Sequence, residues 1–258
     1  MAVSANTLFH FTKLKGLEGI LSSKGFYCQY SDEHFENILP QKNPYRSTYI
    51  PMISFCDLTI TQLSKDSVHT EYFGSYGIGL TKEWGIKNRI SPVMYVHRRS
   101  QAARQFPELG KVVSQMSKDF QRKGGDYITF SKIDSELVDS LKYIKPYKGH
   151  WHKGKIKKGK PVIYYNEREW RYCPLLKELA VLSAVIKDNK EEKVKLNRTL
   201  KENLVTFTPK DIKFILIKNK KDIPAITKVI REKMNILSVE MDELATKIIT
   251  FEEIKEDF

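Results

Sequence analysis

The residues best suited to chemistry lie in one short stretch, Val162–Pro174, which reads VIYYNEREWRYCP. If this stretch is a β-strand, its side chains alternate between two faces, and Glu167, Glu169 and Arg171 share one of them. Two carboxylates beside a guanidinium form a charged cluster that a strand rarely buries without a reason. In a helix, Glu167 and Arg171 would be an ordinary surface pair four residues apart. The β-branched and aromatic content favours a strand, whose charged face is either a solvated sheet surface or part of a site.

A histidine near the N-terminus is a candidate partner for this charged face. The segment Leu8–Thr12, LFHFT, predicts a strand, and the apolar spacing of Leu14–Ser23 predicts a helix. Gly25 stands where a left-handed helix cap is expected. His10 therefore lies in a strand between aromatic residues, where it is either a packed core histidine or a functional group.

Tyrosines in the middle of the chain are a second group of candidates. The segment His69–Trp84, HTEYFGSYGIGLTKEW, contains glycines that do not match the GxGxxG dinucleotide fingerprint. Its pattern predicts a turn, a strand over Tyr76–Leu80 and a helix capped by Thr81. Tyr72 and Tyr76 are either core residues or rings that line a site.

A basic segment, Lys145–Lys160, precedes the charged stretch and reads KPYKGHWHKGKIKKGK. Cations interleaved with rings suit single-stranded nucleic acid, although the same composition is typical of a flexible solvated loop. The candidate nucleic-acid contacts are Lys148, Trp151, Lys153, Lys155, Lys157 and Lys158. His150 and His152 lack carboxylates or thiols at matching spacing, so no metal site is expected.

Composition limits the class of protein. The chain has 258 residues, a formal net charge of +13 and 41% hydrophobic residues, which is enough for a sizeable core and favours acidic or phosphate-bearing partners. Three widely spaced cysteines argue against a disulfide scaffold or a zinc ribbon. Because neither a secretory signal nor a membrane-spanning run is evident, we expect a soluble, cytoplasmic protein that does not bind membranes.

The order of predicted elements indicates a mixed α+β fold. Strands are expected near residues 8, 27, 52, 77, 93, 163 and 214, with helices between and after them, in a mostly antiparallel or split sheet. We assign residues 1–222 to an α+β core domain. An apolar stripe at helical spacing predicts that residues 223–258 form a C-terminal helical appendage, which packs on the core or meets a partner.

Six motifs, taken in chain order, resemble the AbiGi family of abortive phage-infection proteins, which are described as antitoxins. The resemblance covers most of Leu8–Asn219 and rests on LFHFTKLKGLEGIL, IPMISFCDL, YFGSYGIGLTKEWG, SPVMYV, NEREWRYCP and PKDIKFILIKN. It implies a role in defence against phage, with a cognate toxin or a phage protein as partner.

The order of a strand histidine, a tyrosine strand and a late ExE strand also resembles the triad of ADP-ribosyltransferases. In that family the first residue holds the NAD ribose, the tyrosine stacks on nicotinamide, and the glutamate stabilises the oxocarbenium-like centre. The resemblance implies an ADP-ribosyltransferase-like split-sheet core with NAD as cofactor. The implied catalytic residues are His10, Tyr76, Glu167 and Glu169. The implied NAD contacts are His10, Thr12, Tyr72, Tyr76 and Arg171.

Two functional hypotheses follow from the sequence. The first is a defence protein whose core binds NAD and modifies a macromolecule. The second is a non-catalytic, antitoxin-like or nucleic-acid-binding component of an abortive infection system. Under the first hypothesis Glu169→Gln is expected to abolish NAD turnover and to change stability by less than about 1 kcal/mol, as for a solvent-facing residue.

Overall fold

The computed structural model describes residues 4–35, 38–39, 46–65, 74–122, 141–150, 162–174, 181–182 and 190–257. The strands within these ranges are β1 (Thr7–Thr12), β2 (Gly25–Tyr27), β3 (Gln29–His34), β4 (Ser47–Cys56), β5 (Tyr76–Thr81), β6 (Ser91–Pro92), β7 (Met94–Val96), β8 (Ile144–Pro146), β9 (Lys148–Gly149), β10 (Val162–Ile163), β11 (Glu169–Tyr172), β12 (Val181–Leu182), β13 (Leu204–Thr206), β14 (Ile212–Ile217) and β15 (Ile248–Thr250). The helices are α1 (Leu14–Ser23), α2 (Ile60–Lys65), α3 (Lys82–Lys87), α4 (Gln101–Arg122), α5 (Lys190–Thr199), α6 (Ile223–Lys233), α7 (Ser238–Thr246) and α8 (Phe251–Asp257). Short 3-10 turns cover Leu141–Tyr143, Tyr164–Glu167, Pro209–Asp211 and Lys220–Asp222.

A nine-stranded sheet forms the centre of the described structure. Its order is β15-β14-β5-β1-β4-β11-β6, and β3 and β12 also pair with β4. The β14–β15 pair is parallel, whereas the other neighbours in this sheet are antiparallel. Because helices are interspersed with these strands, the predicted mixed α+β class is confirmed.

The two neighbours of β1 are paired with it to very different extents. The ladder with β5 runs along all of β1, from Thr7↔Thr81 to Thr12↔Tyr76. The ladder with β4 consists of the single pair Phe9↔Cys56. Beyond that pair, the His10 side chain contacts the Ser54 carbonyl of β4 at 2.9 Å. A side chain thus bonds to a β4 carbonyl where the ladder between the two strands has ended.

Apolar side chains are buried on both faces of the sheet. On one face, Leu8 of β1 packs in a cluster with Leu17 of α1 and Ile230 of α6. On the other face, Phe9 packs with Leu216 and Phe251. This alternation is the period-two pattern of a strand buried on both sides.

Local details explain why β5 and α3 follow each other so closely. The predicted cap is confirmed, because the Thr81 hydroxyl accepts a hydrogen bond from the Trp84 amide at 3.2 Å.

Gly79 of β5 lies opposite Phe9 of β1 in the ladder, and a Cβ there would come within 2.7 Å of the Phe9 ring. The glycine is therefore needed for the close approach of this ring.

The C-terminal residues that we assigned to an appendage contribute to the central sheet and its cores. Strand β15 pairs in parallel with β14, from Ile215↔Ile248 to Ile217↔Thr250. Helix α6 buries Ile226 and Ile230 in the cluster that contains α1. Helices dominate this segment as predicted, but it also supplies an edge strand of the sheet.

One further segment differs from the sequence pattern. Val181–Leu182, where no strand is predicted from the sequence, forms β12 and pairs with Thr48 and Tyr49 of β4. None of the helices in the described part of the chain combines the length and apolar character needed to cross a bilayer.

Candidate functional site

The stretch Val162–Pro174 is not the continuous strand that its composition predicts. Strand β10 ends after Ile163, a 3-10 turn covers Tyr164–Glu167, and Arg168 adopts the left-handed conformation with φ 44°. Strand β11 begins only at Glu169. The predicted sharing of one face by Glu169 and Arg171 holds within β11, where their side chains are hydrogen-bonded to each other.

Both carboxylates of the stretch are buried and converge on one lysine. Glu167 is 6% exposed and Glu169 is 4% exposed. The Nζ atom of Lys145 lies 2.6 Å from an oxygen of each. Lys145 was assigned from the sequence to the basic segment, and its ion pairs join that segment to the charged stretch.

Arg171 extends these ion pairs into a largely buried charge cluster. Its Nε donates to Glu169 at 2.6 Å and its Nη2 donates to Glu33 of β3 at 2.7 Å. The side chain of Arg171 has no exposed surface. We define the charge cluster as Glu33, Lys145, Glu167, Glu169 and Arg171, which carries a net charge of −1 when all five groups are ionised.

The pKa shifts within the charge cluster favour the ionised forms. Burial alone would lower the pKa of Lys145, but Glu167 and Glu169 raise it well above its usual value. Burial alone would raise the pKa of Glu169, but Arg171 and Lys145 hold it well below its usual range. Glu169 is therefore a carboxylate at neutral pH, and the free energy lost on burial of these charges is offset by their pairing.

His10 is connected to the charge cluster through Ser54. Because a carbonyl oxygen can only accept, the contact between His10 Nδ1 and the Ser54 oxygen assigns the proton to Nδ1. Burial lowers the pKa of His10, so the ring is neutral near pH 7 and Nε2 is left as a hydrogen-bond acceptor. The hydroxyl of Ser54 donates to Glu169 at 2.8 Å. Ser54 of β4 thus connects groups on β1 and β11.

A cavity of about 660 Å³ adjoins these groups. Its volume is within the roughly 300–1,000 Å³ that is usual for small-molecule sites. Its wall includes the polar side chains of His10, Thr12, Glu167 and Glu169, which were predicted as site residues, and those of Lys145 and Tyr164. Four of the residues implied by the resemblance to ADP-ribosyltransferases therefore share one cavity, although more than 150 positions separate His10 from Glu167.

Tyr76, in contrast, is not among the residues that line this cavity. It pairs with Thr12 across the β1–β5 ladder, and its hydroxyl donates to Asp222 at 3.0 Å. Its predicted role in stacking on nicotinamide stays a prediction that the geometry does not support. Tyr72 lies outside the described residues. Arg171 contacts Glu169 and Glu33 but does not line the cavity.

Other aromatic rings do line the cavity. Tyr27 of β2 is 49% exposed, so part of its ring is open to solvent. Tyr164 is buried, its hydroxyl donates to the His150 carbonyl at 2.7 Å, and Lys145 Nζ lies 5.1 Å from its ring centroid. A Cβ at Gly149 would come within 2.6 Å of this ring, so the glycine makes room for it.

Sequence reasoning missed several members of this site, including Tyr27, Glu33, Ser54 and Tyr164. Glu33 lies in the polar strand β3, and Tyr164 lies in the 3-10 turn of the charged stretch. Ser54 gave one usable signal, since it is a hydroxyl inside the otherwise apolar run of β4. The partners themselves could not be read from local patterns, because Ser54 and Glu169 are 115 positions apart.

The predicted nucleic-acid contacts are only partly within the described residues. Lys148 lies in β9 and is exposed. Trp151, Lys153, Lys155, Lys157 and Lys158 lie outside the described residues. Among the described residues, no three histidine, cysteine, aspartate or glutamate side chains come together to hold a metal ion.

Comparison with known proteins decides the family. A family model described as "abortive phage resistance protein AbiGi, antitoxin" matches residues 24–218, well over half of the chain. The chain belongs to the AbiGi family. The abortive phage resistance protein AbiGi of Lactococcus lactis subsp. cremoris is 29% identical over 253 residues, which cover 90% of this chain and 99% of that protein. No solved structure matches the chain. The charge cluster and Ser54 fall within the range of the AbiGi family match, whereas His10 precedes it.

Proposed function

We propose that this AbiGi protein acts in abortive infection by binding NAD in the cavity and transferring its ADP-ribose unit to a macromolecule. The observation that carries this proposal is the convergence of His10, Thr12, Glu167 and Glu169 on one cavity of about 660 Å³. These residues belong to β1, a 3-10 turn and β11, and they match the residue types implied by the resemblance to ADP-ribosyltransferases.

His10 and Tyr27 are suited by their chemistry to holding the dinucleotide. The Nε2 atom of His10 can accept a hydrogen bond from a ribose hydroxyl, because Nδ1 is already bound to the Ser54 carbonyl. The half-exposed ring of Tyr27 offers a face for offset stacking on nicotinamide, the role first predicted for Tyr76.

The carboxylates favour the step that breaks the glycosidic bond. As the bond between the anomeric carbon and nicotinamide nitrogen breaks, its electron pair leaves with nicotinamide and positive charge develops on the ribose. The negative charges of Glu167 and Glu169 stabilise this positive charge. Because both carboxylates lie in a cavity wall that is largely shielded from water, this electrostatic interaction is strong. A nucleophile of the macromolecule then bonds to the anomeric carbon and loses its proton to solvent or to a carboxylate.

One observation favours a second candidate, a non-catalytic component that binds a cognate toxin. The Glu169 carboxylate already accepts hydrogen bonds from Ser54, from Lys145 and twice from Arg171. A carboxylate held by four donors is well suited to a structural role. The word antitoxin in the description of the AbiGi family is in keeping with such a partner.

Release of nicotinamide distinguishes the two candidates. The purified chain is incubated with NAD labelled in the adenylate part, with and without extract from phage-infected cells. The transferase predicts free nicotinamide and label on a macromolecule, both lost in His10→Ala. A folded chain that binds a partner from the extract and releases no nicotinamide under any condition would instead support the non-catalytic component.

A further inference from the structure

A row of four aromatic rings includes Tyr147 of the basic segment. The ring centroids of His97 and Tyr147 are 5.9 Å apart, and those of Tyr147 and Tyr165 are 5.8 Å apart. The row ends at Tyr95, whose ring meets Tyr165 edge-on at 5.3 Å. We call these four residues the aromatic row. Tyr165 is 51% exposed and His97 is also exposed, so rings of the aromatic row are accessible from solvent.

Backbone hydrogen bonds hold the aromatic row in place. Strands β7 and β8 pair in parallel, the Tyr147 amide donates to the Val96 carbonyl at 2.9 Å, and the Tyr165 amide donates to the Tyr147 carbonyl at 3.3 Å. The Tyr95 hydroxyl accepts from the Glu169 amide at 2.8 Å. Because three chain segments are fixed to one another, little conformational freedom remains to be lost when a ligand stacks on the rings.

Cationic side chains accompany the rings. Arg98 and Arg99 directly follow His97 and are exposed. Lys148 directly follows Tyr147 and is exposed as well. Rings that alternate with cations are the combination by which proteins hold bases by stacking and phosphates by charge. Tyrosine and arginine are also enriched at protein–protein interfaces, so a protein partner is the alternative that the experiments must separate.

Two members of the aromatic row directly follow, along the chain, residues that line the cavity. Lys145 and Pro146 line the cavity, and Tyr147 is the next residue. Tyr164 also lines the cavity, and Tyr165 follows it. The same two chain segments thus contribute to the cavity wall and to the aromatic row.

We infer that the aromatic row binds single-stranded nucleic acid, with bases on the rings and phosphates on Arg98, Arg99 and Lys148. The inference deepens the proposed function, because it identifies the class of macromolecule that would receive ADP-ribose, and to that extent it rests on it. Duplex nucleic acid keeps its bases stacked on each other, so their faces are not accessible to these rings.

Fluorescence anisotropy with labelled oligonucleotides tests the inference on the full-length chain. Single-stranded DNA and RNA of one sequence are compared with the corresponding duplex, and at least tenfold tighter binding of a single strand is expected. Tyr165→Ala should weaken that binding by about 5- to 150-fold, whereas Tyr165→Phe, which keeps the ring, should bind like the wild type. Equal affinity for duplex and single strand, or unchanged affinity in Tyr165→Ala, would overturn the inference.

Salt dependence tests the phosphate contacts separately from stacking. Arg98→Ala and Arg99→Ala should each reduce the slope of log affinity against log salt by about 0.7. Arg231→Ala, on the exposed side of α6, removes the same charge far along the chain and should leave the slope unchanged. Equal slopes in all three variants would place the nucleic acid elsewhere and contradict the inference.

Titration of NAD keeps this inference separate from the proposed function. If single strands bind through Tyr165 but NAD does not bind, the inference holds for binding and the transferase proposal fails. If NAD binds and is turned over while Tyr165→Ala leaves single-strand binding and label transfer unchanged, the transferase proposal holds and the inference about the aromatic row fails. A protein partner lost in Tyr165→Ala, without any single-strand binding, would identify the aromatic row as a protein interface and overturn the inference.

Discussion

At the scale of single residues, Lys145 and Glu169 determine the character of the site. Glu169 is buried and the Lys145 side chain is only 12% exposed. Each has opposite charges on two sides, so both remain ionised at neutral pH. The stability of such a cluster depends on complete pairing, because an unpaired buried charge is far more unfavourable than a paired one. Substitutions here therefore change the fold as well as the chemistry. The expectation that Glu169→Gln leaves stability nearly unchanged was based on a solvent-facing side chain, and the burial of Glu169 removes that basis.

Lys145→Met is predicted to lower the free energy of unfolding by about 3–5 kcal/mol. The variant leaves Glu167 and Glu169 buried beside each other without the cation between them. Urea denaturation measures the change. Lys228→Met is the matched control, because its pair with Glu232 is exposed and 4.0 Å long, and it should change stability by less than about 0.5 kcal/mol. Similar losses in both variants would contradict the account of the charge cluster.

Acid is predicted to destabilise the wild type more steeply than Glu169→Gln. The folded-state pKa of Glu169 lies below its unfolded value of 4.5, so the folded state holds this proton less tightly than the unfolded state. The stabilising contribution is therefore present above about pH 4.5 and is lost as pH falls through the folded-state pKa. Urea denaturation at several values between about pH 6 and pH 3 gives the slopes, and equal slopes in the two proteins would show that Glu169 is not linked to folding in this way.

At the scale of elements, the short β1–β4 ladder and the broken Val162–Pro174 stretch create the site. β1, α1, β5 and the Thr81 cap could be predicted from sequence, because their signals are local periods and single capping residues. The left-handed Arg168 could not be predicted, because arginine carries no preference for that conformation. The pairing of Lys145 with Glu167 and Glu169 could not be predicted either, because it joins separate elements through long-range contacts.

Packing within the central sheet is predicted to make Gly79→Ala destabilising by about 1–3 kcal/mol. The added Cβ would come within 2.7 Å of the Phe9 ring and 2.9 Å of Thr7 Cγ2. Gly19→Ala in α1 is the opposite case, since no atom lies within 4 Å of its Cβ and helices favour alanine over glycine by about 0.5–1 kcal/mol. Thermal denaturation of both variants should give shifts of opposite sign. Shifts of the same sign would contradict this account of how β1 and β5 pack.

At the scale of the whole molecule, the AbiGi chain joins its C-terminal helices to the sheet that carries the site. The apolar stripe after Ile223 correctly predicts helices, but helical periodicity cannot reveal that Ile248–Thr250 returns to the sheet as β15. The same sheet holds β1 at its middle and β11 towards its other side, so the site and the C-terminal elements share one framework.

Truncation after Asp222 is predicted to abolish cooperative folding. It removes β15 from the edge of β14 and deletes buried residues from two apolar clusters, including Ile226, Ile230, Met234, Leu244 and Phe251. Circular dichroism during urea denaturation should show no cooperative transition for residues 1–222. A truncated chain that unfolds cooperatively with near wild-type stability would contradict this prediction and support the assignment of residues 223–258 to an appendage.

Calorimetric titration of NAD is the most direct test of whether distant residues form one nucleotide site. We predict binding to the wild-type chain that weakens at least tenfold in His10→Ala, equivalent to about 1.4 kcal/mol, and about fivefold in Tyr27→Ala. Tyr76→Phe, which removes only the hydroxyl bonded to Asp222 outside the cavity, should bind NAD like the wild type. Absence of NAD binding to the folded wild type, or equal affinity in His10→Ala, would contradict the account.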